Sequence, residues 1–361
     1  MRNVYSADLA FLHVTPRTSL GGFERFTSDL GSALGSIGLR VSYIEVDSRL
    51  AAAAYRLAGN RHFHSWHTGL RFGEARSALR SAACVYVKNE MLDLCVLRAL
   101  APKSPAIVGV HTSIRNCGAQ RGLRIRNRLY RSAIYRSLLS GPARTFHVLD
   151  ATSESATLIR DWFPTSRISV IPNPLPAITA GTLGPPDPMR FLFAGRLTYQ
   201  KGADLIRAAW PIFVRQHAGV SLDVAGDGPY GPALEAESTL EFRGRIQATA
   251  AVSANAGWLL LPSRWEEQPL ILLERLALGL PYIVGTASSL STFSLSPAFT
   301  LHTATPAGLV QALHNALLTS SAPTDFRAMC EIVSRRAERW PSAQSLAEAV
   351  AKLVADTQAL C

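Results

Sequence analysis

Two carboxylates stand eight positions apart in residues 262–281, Glu266 and Glu274, and the residues around them decide what each could do. Ahead of them Gly257-Trp-Leu-Leu-Leu261 is a short apolar run bounded by Gly and Pro, which reads as a strand buried on both faces of a parallel sheet. Glu266 follows in a loop. Pro269, with no amide hydrogen and a fixed φ, suits the first turn of a helix that Gly279 and Pro281 close. Leu270, Ile271, Leu272, Leu273, Leu276, Ala277 and Leu278 make that helix apolar almost all round. Glu274 is thus expected to be a carboxylate in hydrocarbon, about one and a half turns in. Such a group needs donors. A ligand's hydroxyls would serve and so would a core arginine, and the helix alone leaves both readings open. Glu266 instead precedes a helix start, whose free amides and positive dipole attract phosphate. Two carboxylates flanking an anion site suit a phosphorylated polyol, of which a sugar nucleotide is one.

Other residues could join such a site. Arg190-Phe-Leu-Phe-Ala-Gly-Arg196 reads as a strand, and the loop leaving it carries Arg196 and Lys201 before a helix from Ala203. Two cations on a strand-to-helix loop can neutralise a diphosphate leaving group; otherwise they are solvated loop charges. Gly21 and Gly22 follow the first strand, where paired glycines let the backbone approach an anion. His111 follows the strand at 107–110 directly, at the carboxyl edge where active-site groups collect. Gly226-Asp-Gly-Pro-Tyr-Gly231 spells the dinucleotide fingerprint, but that fingerprint asks for an acid ~20 residues on, and Glu241 comes too soon. Arg61-His-Phe-His-Ser-Trp-His67 offers three histidines without an acidic or cysteine partner, so it reads as a solvated loop with aromatic anchors rather than a metal site.

Parallel sheets would position these groups. Strand-like runs at 8–14, 39–46, 83–87, 106–110, 144–149 and 168–171 alternate with helix-length segments, and the pattern restarts at 190–196, 220–225, 257–261 and 282–284. A Pro-, Gly- and Thr-rich stretch lies between the two series. The expected organisation is α/β with two doubly wound, Rossmann-like domains: 1–175, a linker at 176–188, 189–341, and a last helix in 342–361 that packs back toward the first domain.

Composition narrows the class. At 361 residues and 17% charged the chain is globular and long enough for two cores. No apolar run reaches the ~18 residues of a membrane span, and the N-terminus reads as a strand rather than a signal peptide, so a cytoplasmic protein is expected. Five scattered cysteines fit neither a metal set nor a disulfide framework. The charge is uneven: residues 1–180 hold 23 Lys and Arg against 11 Asp and Glu, and residues 181–361 hold 14 against 15. The basic partner therefore belongs to the first half. There Arg121, Arg124, Arg128 and Arg131 share one helical face beside Leu123, Tyr130, Ile134 and Leu138. That face could rest on anionic lipid at the inner side of a membrane, meet a diphosphate-bearing acceptor, or simply be solvated. Nucleic acid is not expected, because aromatics are not interleaved with the arginines as stacking platforms.

The residues from Glu266 to Glu274, with Pro269-Leu270 between and Gly279-Leu-Pro281 after, resemble the E-x7-E motif of retaining glycosyltransferases of family 4, which have the GT-B fold. Gly21-Gly22-Phe-Glu24-Arg25, His111, Ile171-Pro-Asn173, Ala194-Gly-Arg-Leu197 with Lys201-Gly202, Gly226-Asp-Gly-Pro229 and the segment 241–246 resemble other features of the family. The resemblance implies two domains facing a cleft and transfer of a hexosyl unit, with retention, from a UDP- or GDP-sugar to a glycan, lipid-linked or other acceptor. It implies roles for Glu266 and His111 in orienting the sugar, and for Arg196, Lys201 and the Gly21-Gly22 amides at the diphosphate. Arg245 and Ile246 would line the base, Gln268, Pro269 and Leu270 the phosphate end of the motif helix, and Glu274 the ribose. With no Asp-x-Asp pair in the chain, no metal or other cofactor is expected to be essential. Two other readings differ in class: a nucleotide-cofactor oxidoreductase resting on Gly226–Gly231, and a non-catalytic sugar-nucleotide-binding subunit.

Overall fold

The computed structural model describes residues 7–13, 22–46, 65–70, 72–89, 91–111, 114, 133–140, 144–150, 153–176, 178, 185–246 and 253–360. The chain divides into two units, Met1–Asn173 with Pro341–Cys361, and Pro174–Trp340. The first crossing thus comes two residues before the expected end of the first domain. The strand that opens the second sheet begins at Asp187, inside the stretch expected to be linker.

The first unit is a seven-stranded sheet of β1 (Leu9–His13), β2 (Val41–Val46), β3 (Ser65–Leu70), β4 (Val85–Lys88), β5 (Ala106–Val110), β6 (Arg144–Val148) and β7 (Arg167–Val170). Their order is β3-β2-β1-β4-β5-β6-β7, and every neighbouring pair is parallel. β1, β4 and β5 are buried along their whole length, which is why they read as unbroken apolar runs. β3 corrects the loop reading of 61–67, because Ser65, Trp66 and His67 pair with Ser42, Tyr43 and Ile44. At the sheet edge a strand is held by backbone pairing on one side alone, so Ser-Trp-His-Thr-Gly-Leu needs no apolar run. Residues 61–64 lie outside the described ones.

Helices cover both faces of this sheet. On one face Leu9, Phe11 and Tyr86 meet Phe26, Leu30 and Leu34 of the helix Gly22–Ser36, together with Leu346, Val350 and Leu353 of the last helix, Ala343–Gln358. That last helix is capped by Ser342, whose side chain accepts from the Ser345 amide. It is tied to the sheet by a 2.9 Å bond from Thr357 Oγ1 to Thr145 Oγ1 and by Arg167 with Asp356 at 3.0 Å.

The second unit is a five-stranded parallel sheet of β8 (Asp187–Ala194), β9 (Ser221–Ala225), β10 (Glu241–Gly244), β11 (Ala256–Leu261) and β12 (Tyr282–Val284), in the order β10-β9-β8-β11-β12. Phe191, Trp258 and Phe193 pack one face against the helices Ala203–Val214 and Pro306–Ser321. Leu192, Leu259 and Leu261 pack the other against Leu272 and Leu276 of the helix Leu270–Ala277 and Val333 of Pro323–Glu338. Strand order reverses between β8 and β11. Open parallel sheets bind ligands outside the carboxyl ends of the strands at such a reversal.

Candidate active site

The two loops leaving β8 and β11 at that reversal carry the charged residues singled out above. Lys201 Nζ and Glu266 Oε1 form an ion pair between the loops, their side chains 14% and 8% exposed. Arg196 is exposed and donates to Gln200 Oε1 at 2.9 Å. Gln200 in turn donates to the Trp265 carbonyl at 3.1 Å, while the Arg264 amide donates to the Gln200 carbonyl at 2.9 Å. Arg264 grips both oxygens of Asp204 at 2.7 Å and lies 3.7 Å over the Tyr199 ring. Ser289 Oγ donates to the Glu266 carbonyl at 2.7 Å. A bidentate Arg–carboxylate pair stacked on an aromatic ring has little freedom, so this frame holds Lys201, Glu266 and Arg196 in place. Thr198 Oγ1 and Ser263 Oγ are buried in the same loops with no hydrogen-bond partner among the described residues. Buried hydroxyls of this kind gain free energy from any donor or acceptor that reaches them.

The glycines of the fingerprint-like segment serve this frame. Gly226 and Gly228 have φ of 143° and 147°, and a Cβ on them would come within 1.8 Å of the Gly195 carbonyl oxygen and 2.6 Å of the Leu197 carbonyl oxygen. The Leu197 amide donates to the Asp227 carbonyl at 2.7 Å, and the Tyr230 amide to the Leu197 carbonyl at 3.1 Å. The helix that follows, Gly231–Glu235, has only five residues. The glycines are therefore spent on close backbone approach to the Arg196 loop.

The motif helix runs Leu270–Ala277, with Pro269 in extended conformation at its N-cap. At its end Gly279, φ 66°, donates to the Leu276 carbonyl and Leu280 to that of Arg275, the paired bonds of a Schellman stop. Gln268 is buried and Leu270 half-buried beside this start. Glu274 is 3% exposed. Its neighbour Arg275 is fully buried and donates to the carbonyls of Ser253, Ala256, Gly257 and Pro281. Burial pushes the Arg275 guanidinium down to about 9, which leaves it charged at neutral pH. Arg245 is exposed, 4.0 Å from Asp227, and Ile246 packs half-buried against the core that also holds Leu272 and Leu276.

Three candidates, Gly21, Gly22 and His111, belong to the other unit. Gly22 opens the helix Gly22–Ser36, and Gly21 lies outside the described residues. His111 follows β5, half-buried, with its ring 4.4 Å from that of Phe26. Its Nε2 is 2.8 Å from Tyr86 Oη, which is 2.7 Å from Nδ1 of the buried His147. Arg121, Arg124, Arg128 and Arg131 lie outside the described residues. Among the described residues no helix is long and apolar enough to cross a membrane.

Sequence reasoning passed over Arg264, Arg275, Tyr86 and His147. Arg275 left one signal, a cation inside an apolar helix. The others gave none, because their partners come from distant positions.

Residues 188–318, which hold this loop frame, match the family model described as glycosyl transferases group 1. The chain is 25% identical over 148 residues to an uncharacterized glycosyltransferase of Haemophilus influenzae, a match covering 39% of this chain and 42% of that protein, so it spans less than half of that relative. Among solved structures, sucrose-phosphate synthase of Thermosynechococcus elongatus superposes with TM-score 0.71 at 15% identity, covering 98% of this chain and 99% of its own. The Anabaena protein HepE, crystallised with UDP and glucose, gives 0.72 at 14%, covering 96% and 99%. At such identities the likeness is one of fold, two Rossmann-like domains as in GT-B glycosyltransferases.

Proposed function

We propose that the chain is a retaining glycosyltransferase that moves a hexosyl unit from a nucleoside-diphosphate sugar to a glycan, lipid-linked or other acceptor. The observation that carries this reading is the Lys201–Glu266 pair at the strand-order reversal, directly ahead of the helix start at Leu270. A diphosphate entering there meets the Lys201 ammonium, Arg196 and the free amides of the helix, while Glu266 is released toward the sugar. Transfer is then largely electrostatic: cations gather the charge of the leaving diphosphate and a carboxylate faces positive charge developing at the anomeric carbon. Glu274 would accept from the ribose hydroxyls, and His111 would orient a sugar hydroxyl. Protein cations take the place of a divalent ion in this scheme, so turnover should persist in a strong chelator and need no manganese.

The basic segment 121–131 supplies the electrostatics for an acceptor carrying phosphate or for an anionic membrane surface. Cell-surface polysaccharide or glycolipid synthesis would use such an acceptor. The oxidoreductase alternative loses its footing, since the glycines it needs approach the backbone at 195–197.

The test is a panel of UDP-, GDP- and ADP-sugars scored by thermal shift and by release of nucleoside diphosphate. A ligand at a hundredfold excess over its Kd stabilises the native state by ~2.7 kcal/mol, so one base should raise Tm well above the rest. A uridine donor is the first to try. Binding without release, across a panel of acceptors, would favour the non-catalytic subunit, and no shift with any nucleotide would end the proposal.

A further inference from the structure

Away from the charged loops, the second unit carries a groove of about 450 Å³ lined by Leu295, Ile332, Arg335, Arg336, Arg339 and Trp340. That volume is in the range of small-molecule sites, roughly 300–1,000 Å³. Ile332, Arg335, Arg336, Arg339 and Trp340 stand at i, i+3, i+4, i+7 and i+8, so the end of the helix Pro323–Glu338 and the two residues after it present them as one stripe. Arg336 Nη1 donates to the hydroxyl of Tyr282, the first residue of the edge strand β12, at 3.3 Å, and to the Phe293 and Ser294 carbonyls at 2.8 and 3.2 Å. The groove therefore lies beside β12, whereas Lys201 and Glu266 stand on the loops leaving β8 and β11.

Its charge is uncompensated. Arg335 and Arg339 are exposed, and their guanidinium groups make no hydrogen bond or ion pair among the described residues. The half-buried Arg336 spends only Nη1, so its Nε and Nη2 have no partner among the described residues either. Glu331 and Glu338, exposed on the same helix, pair with none of the three. Like charges at i and i+4 repel, as Arg335 and Arg339 must. A helix C-terminus attracts cations, which accounts for basic residues in a last turn but not for three guanidinium groups around one hollow with an aromatic wall. That wall is fixed, because Trp340 packs on Phe293 with ring centroids 5.0 Å apart.

We propose that this groove binds a small phosphate monoester, with a sugar phosphate the kind that fits. A phosphate monoester carries about −1.5 to −2 charge near neutral pH, and its oxygens match guanidinium forks two at a time. A carboxylate would bring a single charge to three cations. Leu295, Trp340 and Ile332, the last 44% exposed, give the ester an apolar side on which the hydrocarbon face of a sugar ring can rest. The site stands whether or not the chain transfers a sugar, since none of its residues belongs to the loops that carry Arg196, Lys201 and Glu266.

The test is isothermal titration of the full-length protein with mannose 6-phosphate, inorganic phosphate, glucuronate and mannose. It is run on the wild type, on Arg335→Gln/Arg339→Gln and on Lys201→Met. Mannose 6-phosphate should bind the wild type at this groove most tightly of the four, and added salt should weaken it. Losing the two arginines should raise its Kd about tenfold or more, the size of a charge-assisted bond. The melting temperature should stay unchanged, because both side chains are exposed. Lys201→Met should bind it like the wild type. Binding kept in the arginine variant and lost in Lys201→Met would put the phosphate in the charged loops and overturn the groove site. Inorganic phosphate or glucuronate binding as tightly as mannose 6-phosphate would overturn the ester class. A wild type that binds none of the four, with a lower melting temperature in the arginine variant, would make these arginines helix-end stabilisers and end the proposal. A chain that binds mannose 6-phosphate here but no nucleotide sugar would refute the transferase reading alone.

Discussion

Lys201 and Glu266, 65 positions apart in the chain, are joined side chain to side chain between the loops that leave β8 and β11. Each is mostly removed from water, so each compensates a charge the other would leave stranded. In the proposed reaction the pair must open, because the diphosphate competes for the ammonium. A double-mutant cycle of Lys201→Met and Glu266→Gln should give a coupling of about 1–3 kcal/mol in the free protein. With saturating nucleoside diphosphate the coupling should shrink toward zero. Coupling measured from urea midpoints that is the same with and without nucleotide would make the pair a structural strut.

The glycine at 228 provides a test of the loop frame that leaves every charged residue in place. Gly228→Ala puts a Cβ 2.6 Å from the Leu197 carbonyl oxygen at φ 147°, so the backbone carrying Arg196 must move. Backbone strain of this kind costs on the order of 1–3 kcal/mol, and nucleotide affinity should fall with it. Isothermal titration with the donor nucleotide, beside the melting temperature, separates the two effects. Wild-type affinity in this variant would mean that the Arg196 loop does not bind the nucleotide.

Stability should fall on acidification, through the first unit's buried histidines. In the unfolded chain an imidazole titrates near 6.5, whereas folded His147 does so at about 4 and His111 well below its usual range. Between those values the unfolded chain holds more protons, so stability is full above pH 6.5 and declines as pH falls toward 4. His147 alone accounts for about 3 kcal/mol over that window. Urea melts of the wild type from pH 7 to 4 should show this slope, and His147→Phe should flatten it. A slope unchanged in the variant would place the titration elsewhere.

Much of the second unit was readable because its signals are local. The apolar run of the motif helix announced a buried Glu274, and Pro269 and Gly279 bounded the helix as observed. The strands around Arg196 and Glu266 were readable because strands buried on both faces carry unbroken apolar runs. β3 was not, because an edge strand is defined by its pairing with β2 rather than by its own composition. Arg275 escaped for a similar reason. Its partners are backbone carbonyls at 253, 256, 257 and 281, and no side-chain pattern records where a carbonyl points. Tyr86 and His147 lie 61 positions apart, and only the sheet order brings β4 and β6 near enough through β5.

The two motif carboxylates should part company under substitution, because one stands ahead of the helix in the charged frame and the other inside it. Glu266→Gln keeps the shape and removes the charge, so it should chiefly lower turnover, since an oriented carboxylate matters most as positive charge develops at the anomeric carbon. The same change strands Lys201 in the free protein, and its melting temperature should recover when the diphosphate binds. Glu274→Gln should chiefly weaken the nucleotide, by the ~1.5–3 kcal/mol of a charge-assisted hydrogen bond to a hydroxyl. Glu274→Leu should match that loss of affinity. Turnover, nucleotide affinity and melting temperature measured on all three variants separate the assignments. Glu274 variants that bind nucleoside diphosphate like the wild type but melt much lower would make Glu274 a core partner and leave the ribose to other groups.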